Sequence, residues 1–122
     1  MSNIPTRVAF IGLGNMGGPM AVNLHKAGYA VSAFDLSADA LAKVREAGVD
    51  TATSARAATE GAQVVISMLP ASRHVEALYL GDEGLLPHLA DGALVIDCST
   101  IAPASARKVA QAASERGLQM LD

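Results

Sequence analysis

Two rhythms of apolar residues alternate along this chain. Short continuous runs, such as Val8-Ala9-Phe10-Ile11 and Val64-Val65-Ile66, suit strands buried on both faces. Between them apolar residues recur every three to four positions, the spacing of a helix with one face in a core. The first run leads through a glycine-rich turn into a predicted helix over residues 15–26, where Met16, Met20, Leu24 and Ala27 form one stripe. Pro19 is tolerated because the first turn of a helix has no N–H bond to lose. Gly28 stops the helix. Met16 and Met20 are expected in the core, although Met16 also sits inside the turn, within reach of a ligand.

The same alternation continues to the end. A second strand over 30–34 closes at Asp35, Ser37 caps a helix that turns Leu41 and Val44 inward, and Gly48 ends it. A short third strand over 49–52, a small helix after Ser54 and a fourth strand over 63–69, stopped by Pro70, come next. A helix over 72–80 with Val75, Leu78 and Tyr79 inward, a turn at 81–84 and a helical piece at 85–89 lead to a fifth strand over 93–96. After Asp97-Cys98-Ser99-Thr100, a helix over 103–116 packs through Ala106, Val109, Ala110 and Ala113. Gly117 stops it before a sixth strand over 118–121.

Strands alternating with helices predict a parallel sheet with right-handed crossovers and helices on both faces. This is an α/β fold of the Rossmann type, a doubly wound parallel sheet with its six strands in the order 3-2-1-4-5-6. Ligands bind beyond the carboxyl ends of strands one and four, where the order switches. The turn from Gly12 through Leu13, Gly14, Asn15 and Met16 to Gly17 therefore converges with Asp35, Met68-Leu69-Pro70 and the segment 97–100 on one crevice.

The turn has G-x-G-x-x-G spacing, and each glycine has a physical task. Gly12 allows the tight turn, Gly14 lets the backbone approach a diphosphate, and Gly17 lets the helix pack against the strand. The helix N-terminus adds free N–H groups and a positive dipole end. Asp35 lies about 20 residues further on, the offset at which an acid binds ribose hydroxyls. A carboxylate there repels a 2′-phosphate, and no Arg or Lys follows before Lys43, so NAD is expected rather than NADP. The competing reading is a structural turn without a ligand.

Composition narrows the partners. The 122 residues make about one domain, 51% apolar but only 3% aromatic, so Ala, Val, Leu, Ile and Met must fill its core. A net charge of −3 leaves no basic footprint for nucleic acid. No apolar run approaches the ~20 residues of a membrane span, and the N-terminus lacks a hydrophobic leader, which points to the cytoplasm. Cys98 is the single cysteine, so neither an internal disulfide nor a cysteine metal cluster is expected. It reads as a small buried hydrophobe. His25, His74 and His88 lack paired acids and read as surface or structural groups, with His74 alone near the cofactor loop.

Together, FIGLGNMGGPMAVNLHKAG, VVISMLP and IDCSTIAPASARKVA resemble the β-hydroxyacid dehydrogenase family, over essentially all 122 residues. The resemblance implies NAD-dependent oxidation of 3-hydroxyisobutyrate to methylmalonate semialdehyde, a step of valine catabolism. It places the diphosphate on the glycine turn, the adenosine ribose on Asp35, Leu69 and Pro70 along the cofactor, and Thr100 at the nicotinamide end. Ser99 would face the substrate carboxylate, since a hydroxyl can donate to an anion without a competing charge. The alternative for Ser99-Thr100 is to cap the following helix.

The chain departs from the family pattern at its end. Family members continue Asp-Ala-Pro-Val-Ser-Gly-Gly, and Asp122 is the first letter of that phrase. A helical second domain follows, with a catalytic lysine in Gly-x-x-x-Lys-x-x-x-Asn. Four residues beyond Lys26, Lys43 and Lys108 stand Ala30, Ala47 and Ala112, so none fits. The expectation is a cofactor-binding half without a catalytic residue of its own, from an enzyme that forms homo-oligomers. Residues 118–121, as an uncovered sheet edge, would self-associate or form a disordered tail. Two other readings stand beside it. One is a tartronate semialdehyde or glyoxylate-type reductase, which often favours NADPH and so fits Asp35 poorly. The other is a non-catalytic NAD-binding module, which has no need of Ser99-Thr100.

Overall fold

The computed structural model describes residues 4–122, and the leaderless reading of the N-terminus falls partly on residues 1–3, outside them. Its strands are β1 (Arg7–Ile11), β2 (Ala30–Phe34), β3 (Asp50–Thr51), β4 (Val64–Ser67), β5 (Leu94–Asp97) and β6 (Gln119–Leu121). All pair in parallel, in the expected order β3-β2-β1-β4-β5-β6. Five helices connect them: α1 (Gly17–Lys26), α2 (Ala38–Glu46), α3 (Ala55–Ala58), α4 (Ser72–Tyr79) and α5 (Pro103–Glu115). A 3-10 turn covers Leu86–His88. Among the described residues no helix is long and apolar enough to cross a membrane.

The continuous apolar run of β1 divides between two cores. Val8 and Phe10 join Ala21 of α1, Val44 of α2, Val31, Ala33 and Ile66 on one face. Ala9 and Ile11 join Val65, Val95, Val75 and Tyr79 of α4, and Val109 and Ala113 of α5 on the other. Burying each of the larger side chains contributes about 1.5–3 kcal/mol, so a strand covered on both faces has no polar positions to spare. Ser37 and Ser54 cap α2 and α3, accepting from the N–H of Ala40 at 3.2 Å and of Ala57 at 2.9 Å.

Several element edges differ from the sequence reading. Helix α1 begins at Gly17, with Met16 at its N-cap, rather than at residue 15. Its buried residues are Gly17, Gly18 and Ala21, while Met16 is 64% exposed and Ala27 lies outside the core. The glycines bring the helix backbone so near the sheet that small residues take the packing positions. Met16 is thereby left on the surface, contrary to its expected place in the core. On α5 the buried residues are Ser105, Val109 and Ala113, and Ala110 is exposed. This helix is turned so that Ser105 meets Glu76 of α4. Strand β4 ends at Ser67, so Met68, Leu69 and Pro70 leave the sheet although the Met68 N–H still donates to Ile11 O at 2.9 Å. Strand β5 extends to Asp97.

The α4–α5 contact carries a pH-dependent element. Glu76 accepts from the Ser105 hydroxyl and from Lys108 Nζ at 3.0 Å, and these bonds hold its carboxyl below the ordinary value. A carboxyl lowered on folding stabilises the fold above its unfolded pKa, and the contribution disappears as pH falls through the lowered folded value. Glu76→Gln should lower Tm slightly at pH 7, and the difference from wild type should vanish in strong acid. Thermal melts across pH check this. An undiminished difference at pH 2 would contradict it.

Candidate functional site

The carboxyl ends of β1, β2 and β4 open into one cavity of about 650 Å3. One wall is the glycine turn. Gly12 adopts φ +100, and a Cβ there would lie 2.1 Å from Met68 O. Its N–H donates to Phe34 O at 2.9 Å, so the turn is tied to β2 while pressed against the end of β4. A Cβ on Gly17 would lie 2.1 Å from Gly12 O, which explains how α1 starts directly over the strand. Gly14 differs, since a Cβ there would meet nothing within 4 Å. Among the described residues no backbone acceptor takes the N–H of Gly14, Asn15 or Met16. The turn thus presents unsatisfied donors and the positive end of α1 to an open space, an arrangement suited to an anion.

The opposite wall follows β2 and β4. Asp35 lines the cavity, its Oδ2 accepting from the Leu13 N–H and its Oδ1 from the Ser37 N–H, both at 2.7 Å. These bonds leave one lone-pair direction on each oxygen for a pair of hydroxyls. Met68, Leu69 and Pro70 line the cavity as expected, together with His74. Sequence reasoning missed Leu36, Ala55, Ala77 and Leu78, which complete an apolar end. Leu36 is 93% exposed, and a large apolar residue directly after Asp35 is the one signal that was available. Leu13 is placed otherwise, with its side chain 4% exposed in the core and its N–H used by Asp35.

Ser99 and Thr100 do not line this cavity. Thr100 is exposed, and its hydroxyl makes no bond among the described residues. Ser99 Oγ donates to Asp97 Oδ1 and accepts from the Leu69 N–H, both at 2.7 Å. Its proton is therefore not available to a substrate carboxylate while that bond stands. Neither residue caps α5, whose N-cap Ala102 instead donates its N–H to Ser72 Oγ at 2.9 Å.

The carboxylate behind Ser99 is 2% exposed. Asp97 Oδ1 also accepts from Ser67 Oγ at 2.8 Å, and Ser67 accepts from the Tyr79 hydroxyl at 2.7 Å. Burial keeps the Tyr79 phenol far above its ordinary pKa, so it remains a donor. Cys98, beside this group, is half-buried, and burial followed by the Asp97 charge raises its thiol pKa. A protonated thiol is a poor nucleophile, in keeping with its reading as a small hydrophobe. His74 is half-buried with Nδ1 unpartnered, and among the described residues no acid pairs with it. No cluster of three metal-binding side chains occurs among the described residues.

Residues 7–122 match the family model described as the NAD-binding domain of 6-phosphogluconate dehydrogenase. An NAD-dependent L-serine dehydrogenase of Pseudomonas aeruginosa is 63% identical over 116 residues, 95% of this chain and 39% of that protein. A 3-hydroxyisobutyrate dehydrogenase of the same organism is 61% identical over 117 residues, 96% of this chain and 39% of its own length. A structure of Mycobacterium tuberculosis 3-hydroxyisobutyrate dehydrogenase with L-serine superposes with a TM-score of 0.89 at 39% identity, covering 95% of this chain and 39% of that one. The chain thus spans about two-fifths of the length of these relatives.

Proposed function

Because the chain belongs to the family of NAD-binding domains described for 6-phosphogluconate dehydrogenase, we propose that it holds NAD for the oxidation of a small 3-hydroxy acid. The observation that carries this reading is the division of labour among the glycines. Two of them are filled against by protein backbone, and the third faces open space beside unsatisfied N–H groups and the Asp35 carboxylate. A diphosphate fits the first feature and a ribose diol the second. The nicotinamide then extends toward the carboxyl end of β5.

Bound NAD supplies a hydride acceptor for the carbinol carbon. Within this chain, the glycine turn and Asp35 bind and orient, and Leu69 and Pro70 wall the cofactor. Thr100 stands at the nicotinamide end. A substrate carboxylate would meet Ser99 or Thr100: Ser99 would first have to release its proton from Asp97 Oδ1, whereas the Thr100 hydroxyl is unbonded among the described residues. Oxidation also requires a base for the hydroxyl proton. Neither His74, without an acid partner, nor any lysine of the chain meets that need. The base belongs to the rest of the enzyme in this reading, as does any oligomer.

For the substrate, 3-hydroxyisobutyrate is favoured by the resemblance and by the name of the 61% relative, and valine catabolism by the resemblance alone. L-serine is a second reading, favoured by the name of the 63% relative and by the serine in the mycobacterial structure. Both are C3 alcohols bearing a carboxylate, and the residues of this chain do not choose between them. In titrations the 122-residue chain should bind NAD more tightly than NADP and produce no NADH from either acid. Equal binding of both cofactors would count against the role of Asp35. The protein of full reading frame, assayed with both acids, decides the substrate, and activity with neither would overturn the dehydrogenase reading.

A further inference from the structure

The buried carboxylate of Asp97 lies outside the proposed binding contacts, yet it is the point at which two chains of hydrogen bonds meet. One runs from the Tyr79 hydroxyl through Ser67 Oγ, the other from the Leu69 N–H through Ser99 Oγ, and both end on Asp97 Oδ1. The direction of each bond follows from chemistry. A serine hydroxyl carries one proton, so Ser67 and Ser99, each donating to Asp97 Oδ1, accept from the next donor out. The parallel register of β4 and β5 sets Ser67 opposite Asp97, which brings these groups together below the crevice.

The two arms end in different places. Tyr79 is fully buried in the core of the sheet's α4–α5 face. Leu69 belongs to the segment that has left β4 and walls the cavity. Its amide, beyond the end of the strand, is bonded to the Ser99 side chain and to no sheet partner. Met68 keeps its bond to Ile11 O, but the chain beyond it has no ladder pairing to fix its height above the sheet, so the bond that the Leu69 N–H gives to Ser99 Oγ can set it.

We propose that Asp97 is a positioning residue of the cofactor crevice: through Ser99 its buried carboxylate fixes the Leu69 amide, and with it the Leu69–Pro70 wall. The inference rests on the reading of the cavity as the cofactor site. Asp97 touches no cofactor in it. The arm through Ser99 serves binding, while the arm through Tyr79 serves only the core.

Four variants of the 122-residue chain test this, each read by NAD titration, thermal melt and amide exchange at Leu69. Ser99→Ala and Asp97→Leu should weaken NAD binding about tenfold and release the Leu69 amide to fast exchange. Asp97→Asn keeps an acceptor oxygen of the same shape and should restore binding to within about threefold. Tyr79→Phe should lower Tm yet leave NAD affinity within about twofold. If Asp97→Leu does not fold, Ser99→Ala against Tyr79→Phe still decides. Wild-type affinity in Ser99→Ala would overturn the proposal. So would an equal loss in Tyr79→Phe, since that is what a merely structural network gives. A wild-type chain that binds no NAD would overturn the cofactor reading instead, and the Leu69 exchange would then show whether the network still holds the loop.

Discussion

Alanine at position 14 should leave the fold intact and abolish tight NAD binding, whereas alanine at position 12 or 17 should damage both. At Gly14 the added methyl meets no protein atom within 4 Å, and Gly→Ala at a compatible position is neutral or stabilises by about 0.4–1 kcal/mol. A diphosphate bound on this turn would take that space, so the methyl should weaken NAD binding about 100-fold with Tm near the wild-type value. At Gly12 a methyl would lie 2.1 Å from Met68 O, on a backbone held at φ +100. The left-handed conformation alone costs about 1–2 kcal/mol for a residue with a Cβ, and the contact forces the turn away from β4. At Gly17 the same 2.1 Å approach is to Gly12 O, so α1 must lift from β1. Thermal melts and NAD titrations of the three variants separate these effects. Undiminished binding by Gly14→Ala would show that the diphosphate lies elsewhere.

The second large effect concerns the choice of nucleotide. Asp35→Ala combined with Leu36→Arg should reverse the preference for NAD over NADP by about 100-fold, since charge-assisted bonds to both ribose hydroxyls are lost and a phosphate partner is gained. Leu36 is 93% exposed, so an arginine there disturbs no packing. The structure adds a cost that motif spacing does not reveal. The carboxylate also accepts from the Leu13 and Ser37 N–H groups at 2.7 Å, so Asp35→Ala alone should lower Tm as well as NAD affinity. Titration of the double variant with both cofactors, beside its melt, checks the two parts. An unchanged ratio would remove Asp35 from the ribose site.

The glycine turn was legible in the sequence because its determinants are local. Gly12, Gly14 and Gly17 lie within one turn, and the strand before them and the helix after them are short-range patterns. Helix phase was less legible. Periodicity placed Met16 in the packed stripe, but periodicity cannot register how near a glycine-lined backbone approaches a sheet. Ser105 and Ala110 exchanged places for a related reason, as α5 packs on α4 as well as on the sheet.

Read alone, the amino-acid sequence determined the parallel order of six strands, the glycine turn and the acid that stands opposite it, since alternation and nearby spacing encode all three. Tertiary structure decided which glycine faces open space and which are closed by backbone. It also turned Ser99 from a free hydroxyl into a link between Asp97 and the Leu69 amide. Leu69 and Ser99 lie thirty positions apart in the chain. Such contacts arise from strand register and crossover geometry, which bring distant side chains together without leaving a local pattern in the sequence.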